Sequence, residues 1–267
     1  MSRITKAFEA LQKERRKALV LFITAGDPSI ETTIKMVKEA HTAGADIIEL
    51  GIPFSDPLAD GAVIQESFYR AIAKGVNIGK TLEAVKKIRK SGCQAPIVFM
   101  LSSTLVINHG VKKFMNDCAL ASVDGVILPD VPIEEADEFM PLARKAGLDT
   151  IMLAAPTSTS KRLKQLARLS SGFLYYISVT GVTGEKRAAP KEVGNALKKI
   201  KTLSKTPVCA GFGITDGEQA RQISRHADGV VIGTQAIRVI TKAKTRQKAV
   251  EDLVKFVRSI RRGLDGK

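Results

Sequence analysis

Eight short apolar runs recur along the chain with helical patterns between them. They are 18 to 25 (ALVLFITA), 46 to 50 (DIIEL), 96 to 101 (PIVFML), 125 to 128 (GVIL), 149 to 154 (DTIMLA), 173 to 178 (FLYYIS), 207 to 210 (PVCA) and 229 to 232 (GVVI). Their spacing, roughly 20 to 35 residues, is that of one strand–helix unit. The intervening segments repeat their apolar positions with a 3.6-residue period and end at glycine. Residues 30 to 43 stop at Ala43-Gly44, 81 to 91 at Ser91-Gly92 and 134 to 146 at Ala146-Gly147. Strands apolar on both faces that alternate with helices make a parallel sheet, and eight such units match a closed (β/α)8 barrel, the TIM-barrel class of α/β fold. An open doubly wound sheet is the structural alternative, weakened because no GxGxxG follows the first run. An extra N-terminal helix, residues 2 to 14, is expected to cover the bottom of the barrel. No linker or low-complexity stretch divides the chain, so residues 1 to 267 are expected to form one domain.

One run departs from the apolar pattern. In "ADIIELGIPFSDPLADG", residues 45 to 61, strand alternation puts Ile47 and Glu49 on one face and Ile48 and Leu50 on the other. With both faces covered, Glu49 is buried. A buried carboxylate finds partners, takes up a proton, or sits at the mouth of a site.

Composition narrows the classes. Aliphatic residues dominate a chain that is 44% hydrophobic and only 5% aromatic, as in a soluble globular protein. No apolar run approaches the length of a membrane span, and the N-terminus has no signal-peptide core, so a cytoplasmic protein with no membrane partner is expected. Cys93, Cys118 and Cys209 lack metal-ligand spacing and read as small core residues; His41, His109 and His226 read as surface or packing residues. No metal is expected. The net charge of +15 is concentrated in residues 181 to 267, which hold 19 Lys/Arg against 8 Asp/Glu. These charges lie on helical segments without interleaved aromatics, so solvated helix faces explain them better than nucleic-acid binding.

Barrel chemistry sits at the C-terminal strand ends. There the sequence places Phe22 in the first run, Glu49 in the second with Asp56 and Asp60 in the loop that follows, and Tyr175 in the sixth. Gly211-Phe212-Gly213 precedes a helix expected near Thr215, and Gly233-Thr234 precedes the last helical stretch. Two successive glycine turns entering helices form a candidate phosphate site. Asp130, after Pro129, reads as mainly structural. Acid/base chemistry on a phosphorylated small molecule is the resulting expectation.

The stretch "ELGIPFSDPLADG" at 49 to 61 closely resembles the signature of the tryptophan synthase α subunit family. "FITAGDP" at 22 to 28, "VDGVILPDVP" at 123 to 132, "LAAPTS" at 153 to 158, "SVTGVTGEK" at 178 to 186 and "AGFGI" at 210 to 214 extend the resemblance in order through nearly the whole chain. It implies a barrel lyase of tryptophan biosynthesis that cleaves indole-3-glycerol phosphate to indole and glyceraldehyde 3-phosphate. It also implies an α2β2 complex with a β subunit and no cofactor of the chain's own. By the same resemblance Glu49 moves protons and Asp60 stabilises the indole nitrogen. Tyr175 lines the cleft, and Thr183 meets Asp60 on loop closure. Gly184, Gly213, Gly233 and Thr234 hold the phosphate, while Phe22, Ile64, Met100, Ile127 and Phe212 surround the indole. Pro53, Asp56, Ser102 and Thr104 face the partner. The chain departs from the family at Ser102 and Thr104, where a Tyr and an Asn are usual, and at Ala62, where Pro is usual. Two other readings remain open: a catalytically weak barrel that activates the β subunit, and an isomerase or epimerase of another sugar phosphate.

Overall fold

The computed structural model describes residues 1–57, 60–177, 190–211 and 213–266. Nine strands among them form one sheet: β1 (Ala18–Thr24), β2 (Ile47–Gly51), β3 (Ile97–Met100), β4 (Gly125–Ile127), β5 (Asp149–Thr150), β6 (Leu153–Ala154), β7 (Leu174–Ile177), β8 (Val208–Gly211) and β9 (Gly229–Ile232). Every pairing is parallel, in the order β5-β4-β3-β2-β1-β9-β8-β7-β6. β5 and β6 are two pieces of the run expected at 149 to 154, so the ends of the order meet and eight positions circle a (β/α)8 barrel. The run splits because its backbone changes partner. The Ile151 amide still donates to Val126 at 3.0 Å, whereas the Met152 amide donates to the Ser170 hydroxyl at 3.2 Å and the Met152 carbonyl accepts from Tyr175 at 3.0 Å.

Strand parity sorts the aliphatic residues into two layers. Ala18, Val20, Ile47, Val98, Ile127, Ile151, Cys209 and Val231 fill the barrel interior, with Phe173 at its floor. Leu19, Leu21, Ile48, Leu50, Ile97 and Phe99 face outward and pack with helix residues such as Met36, Val37, Val85 and Ile88. The expected alternation of Ile47 and Glu49 against Ile48 and Leu50 therefore holds. The N-terminal helix is α1 (Arg3–Lys13), capped by Ser2. Its stripe of Ile4, Phe8 and Leu11, one helical face, is buried against the interior layer, and the Phe8 ring lies 6.0 Å from Phe173. Each such side chain withdrawn from water contributes roughly 2 kcal/mol, which keeps α1 across the barrel bottom.

A repeated device closes that bottom end. Asp46, Asp124 and Asp228 each stand just before a strand and accept the amide of the neighbouring strand: Leu19 at 2.8 Å, Ile97 at 2.8 Å and Val208 at 2.9 Å. Each also meets a cation, Arg261 at 3.1 Å, Arg89 at 2.7 Å and Lys201 at 2.7 Å respectively.

The helix boundaries follow their caps. α2 (Ile30–Thr42) begins under Ser29, and α4 (Ile78–Lys90) begins almost a turn before the expected 81 because Asn77 accepts the Lys80 amide at 3.0 Å. The segment expected at 134 to 146 is a 3₁₀ turn, Ile133–Glu135, leading into α7 (Ala136–Lys145). Among the described residues no helix is long and apolar enough to cross a membrane.

Candidate active site

Glu49 lies in β2 with Phe22 of β1 and Val98 of β3 beside it in register. It is 1% exposed, and its Oε2 has no hydrogen-bond partner among the described residues. Burial, reinforced by the nearby negative charge of Asp60, raises its pKa from 4.5 to about 8. Asp60 follows in the loop before α3 (Ala62–Ile72), and that loop is tied down locally. Gln65 Nε2 donates to the Asp60 carbonyl at 2.7 Å and to the Pro57 carbonyl at 3.2 Å. Asp60 is 7% exposed, and burial, followed by the charge of Asp130, raises its pKa to about 6. The Tyr175 phenol is held strongly protonated by burial first and by Glu49 second. Glu49, Asp60 and Tyr175 thus share one electrostatic environment.

Two glycines make room around these groups. A Cβ on Gly51 would lie 2.5 Å from the Phe22 ring, and one on Gly211 would lie 2.7 Å from the Tyr175 hydroxyl. Met100 and Ile127 pair across β3 and β4 at the same end, and both pack in the barrel interior. Ile64 is buried in the first turn of α3.

The expected anion end needs a correction. The helix after Gly213 is α10 (Gly217–Ser224), not a helix starting near Thr215, and Asp216 caps it by accepting the Gln219 amide at 2.9 Å. A carboxylate already occupies that positive helix end. α11 (Thr234–Lys242) differs: Gly233 is its N-cap, no side chain among the described residues caps it, and its first turn holds no acid. Its amides remain available to an anion, with Thr234 in the first position. Gly233 sits against Phe22, a Cβ there meeting the Phe22 Cβ at 3.4 Å, so this helix end adjoins the Glu49 side of the barrel. Gly213 has φ +60, a left-handed turn suited to glycine. Thr183, Gly184 and Phe212 lie outside the described residues.

Of the partner-facing expectations, Asp56 and Thr104 are exposed and Ser102 is half-buried, but Pro53 is buried. Pro53 continues the packed end of β2 and so is not a surface residue. Asp130, expected to be mainly structural, accepts from the Ser102 hydroxyl at 2.6 Å and the Ser103 amide at 2.9 and 3.0 Å. Neither this contact nor the effect of Asp130 on Asp60 shows in the sequence, because no local pattern says which loops meet. The glycines at 51 and 211 do carry a signal, since each lies within a quoted motif and strand parity puts it on the same face as Glu49 or Cys209, but nothing local says that Phe22 and Tyr175 fill the space beside them.

The remaining reactive side chains have other occupations. His41 bonds the Ala45 carbonyl at 2.9 Å, His109 bonds Asp117 at 2.7 Å, and the His226 ring lies against Gly194. Cys118 and Cys209 are buried, and Cys93 is half-buried. Among the described residues no group of three or more His, Cys, Asp or Glu could hold a metal.

Residues 8–264 match the family model described as tryptophan synthase alpha chain. The chain is 48% identical to the Geotalea daltonii tryptophan synthase alpha chain over 89% of this chain and 90% of that one. It is 44% identical to the Geotalea uraniireducens protein of the same name over 99% and 98%. Among solved structures, tryptophan synthase subunit alpha from Legionella pneumophila superposes with a TM-score of 0.93 at 35% identity, covering 100% of both chains. A chain of tryptophan synthase from M. tuberculosis, in its aminoacrylate-bound form, superposes at 0.88 with 30% identity over 99% of this chain and 100% of that one. A barrel of this topology, matched along nearly its whole length in sequence and in structure, belongs to the tryptophan synthase alpha chain family.

Proposed function

We propose that the chain is the lyase component of a tryptophan synthase, cleaving indole-3-glycerol phosphate by a retro-aldol reaction to indole and glyceraldehyde 3-phosphate. The observation that carries the mechanism is the separation of two neighbouring carboxyls, Glu49 near 8 and Asp60 near 6. At neutral pH Glu49 is therefore the group that holds its proton, and Asp60 the one that is ionised. One group can give a proton while the other offers charge.

In this mechanism Glu49 delivers its proton to the indole carbon that carries the glycerol chain. Positive charge develops at the ring nitrogen, where the Asp60 carboxylate stabilises it. The Glu49 carboxylate then removes the proton of the adjacent glycerol hydroxyl. The oxygen electron pair forms the aldehyde, the carbon–carbon bond breaks, and its pair restores the indole ring. Glu49 ends as it began. Phe22, Ile64, Met100 and Ile127 supply apolar wall for the indole, with Phe212 assigned to the same wall by the family pattern. Tyr175 lines the cleft. The α11 end with Gly233 and Thr234, together with Gly213 and Gly184, holds the phosphate, and Thr183 is the partner of Asp60 when the loop closes.

A tryptophan synthase β subunit is the proposed recipient of the indole, in an α2β2 assembly. The exposed Asp56 and Thr104, with Ser102 beside them, lie at the barrel end that would face it. The likeness to a chain of the M. tuberculosis tryptophan synthase supports this partner. A cytoplasmic location is proposed with it. The test is to incubate the purified chain with indole-3-glycerol phosphate and follow indole release, alone and with a β subunit. Release that rises with the β subunit is expected; no indole in either mixture overturns the reading.

A further inference from the structure

The family pattern has a tyrosine where this chain has Ser102, and the structure gives that serine a specific contact. β2, β3 and β4 are consecutive neighbours in the sheet, and the amides just beyond them continue the ladder, Ile52 to the Met100 carbonyl at 2.9 Å and Leu101 to the Ile127 carbonyl at 3.2 Å. The three following loops, carrying Asp60, Ser102 and Asp130, therefore leave the same end of the barrel side by side. Ser102 is the N-cap of α5 (Ser103–His109). Its hydroxyl donates to Asp130 Oδ2 at 2.6 Å, and the Ser103 amide reaches both Asp130 oxygens at 2.9 and 3.0 Å. Hydrogen bonds to a carboxylate are of the stronger, charge-assisted kind, and two donors that between them reach both of its oxygens fix its direction.

We propose that Ser102 is a positioning residue of the candidate site: with the Ser103 amide it clamps the Asp130 carboxylate at the barrel rim, so that Asp60 works against a fixed negative charge. This rests on the lyase reading above. A tyrosine at the same position carries its hydroxyl at the far end of a ring and cannot make this short contact, so the clamp belongs to this chain's own departure from the pattern. Among the described residues the titratable groups whose charges bear on this corner are few. Glu49 and Tyr175 interact with Asp60 from β2 and β7, and Asp130 does so from the loop after β4. Arg162 lines the same cavity as Asp130 but is engaged by Glu134 through bonds of 2.8 and 3.0 Å. The repulsion of Asp130 is the second cause, after burial, of the raised pKa of Asp60, and no cation is among the causes.

The experiment compares the pH dependence of kcat for indole release, in complex with the β subunit, in the natural chain and in Asp130→Asn, Ser102→Ala and Ser102→Thr. The acid limb, which reports ionisation of Asp60, should move to lower pH in Asp130→Asn by on the order of half a unit, the size of a like-charge interaction through partly aqueous surroundings. Ser102→Ala should move it the same way by less, and Ser102→Thr, which keeps the hydroxyl, should restore it. A kcat lowered at every pH with the limb unmoved would mean a structural role only, and would overturn the proposal. So would a shift in Asp130→Asn with none in Ser102→Ala. Carboxyl-carbon NMR titration of Asp60 in the same variants needs no turnover. If the chain releases no indole yet the Asp60 titration still shifts, the lyase reading has failed and the clamp has not.

Discussion

At the N-terminal end of the barrel Asp46, Asp124 and Asp228 each accept a strand amide and meet an Arg or Lys. At the C-terminal end Glu49 and Asp60 are buried together, one carboxylate oxygen of Glu49 has no partner among the described residues, and both are pushed toward holding protons. Neither exposure nor the direction of the pKa shift separates the two sets cleanly, since Asp124 at 5% is as buried as Asp60 at 7% while Asp46 and Asp228 are half-buried, and burial raises the Asp46 pKa too. What differs is the supply of donors. Strand amides at the bottom point at the aspartates, whereas Glu49 sits within a strand whose own amides are spent in the ladder. Asp27 makes the point from the other side: at the C-terminal end of β1 it is 4% exposed but is held by Arg70 at 2.7 Å, and the mechanism has no use for it. Burial with partners stabilises the fold, while burial without them leaves proton affinity free to serve chemistry.

Substitutions at the two ends should therefore fail differently. Glu49→Gln is expected to give the largest effect, a loss of indole release of about 10²–10⁴-fold with the fold intact. Stability against pH adds a second readout. A carboxyl raised from 4.5 to about 8 is protonated without cost at low pH and becomes progressively destabilising as pH rises through that window, by at most about 5 kcal/mol. The melting temperature of Glu49→Gln relative to the natural chain should therefore improve from pH 5 to pH 9. A constant difference would mean that Glu49 titrates normally. Asp60→Asn should cost about 10²–10³-fold in kcat, because a neutral amide gives less stabilisation to the developing charge. A near-normal rate would remove Asp60 from the mechanism.

Asp124→Ala tests the opposite end. It strips Arg89, Arg3 and the Ile97 amide of their shared acceptor, so chemical denaturation should show a loss of about 3–5 kcal/mol. The kcat of the molecules that remain folded should be unchanged, and a selective fall in kcat would erase the distinction between the ends. Gly211→Ala should have the smallest effect. Its Cβ presses on the Tyr175 hydroxyl, an overpacking of about 1–3 kcal/mol, read as a raised KM more than a lowered melting temperature.

Much of the barrel can be read along the chain, because a β/α alternation is a local pattern. The runs at 18 to 25, 46 to 50 and 229 to 232 correspond to β1, β2 and β9 within a residue at either end. Parity within β2 is enough to put Glu49 on the face of Ile47, and the barrel packing turns that face inward. The split of the fifth run at Ile151-Met152 is not legible, since it depends on Ser170 from a later segment taking the Met152 amide. The start of α10 is displaced from its expected position for a smaller reason: Asp216 is the cap that sets it, and the glycines just upstream belong to the turn instead.

Residues a few positions apart are enough for the alternating elements, for which side chains share a face of each strand and for the acid in an apolar run. That Asp60 lies beside Glu49, that Asp130 bears on Asp60 through a loop held by Ser102, and that α11 rather than α10 leaves its amides free follows only from the closed barrel. Proton affinity and anion binding depend on which charges and dipoles share a low-dielectric corner, and that depends on which loops meet when the barrel closes.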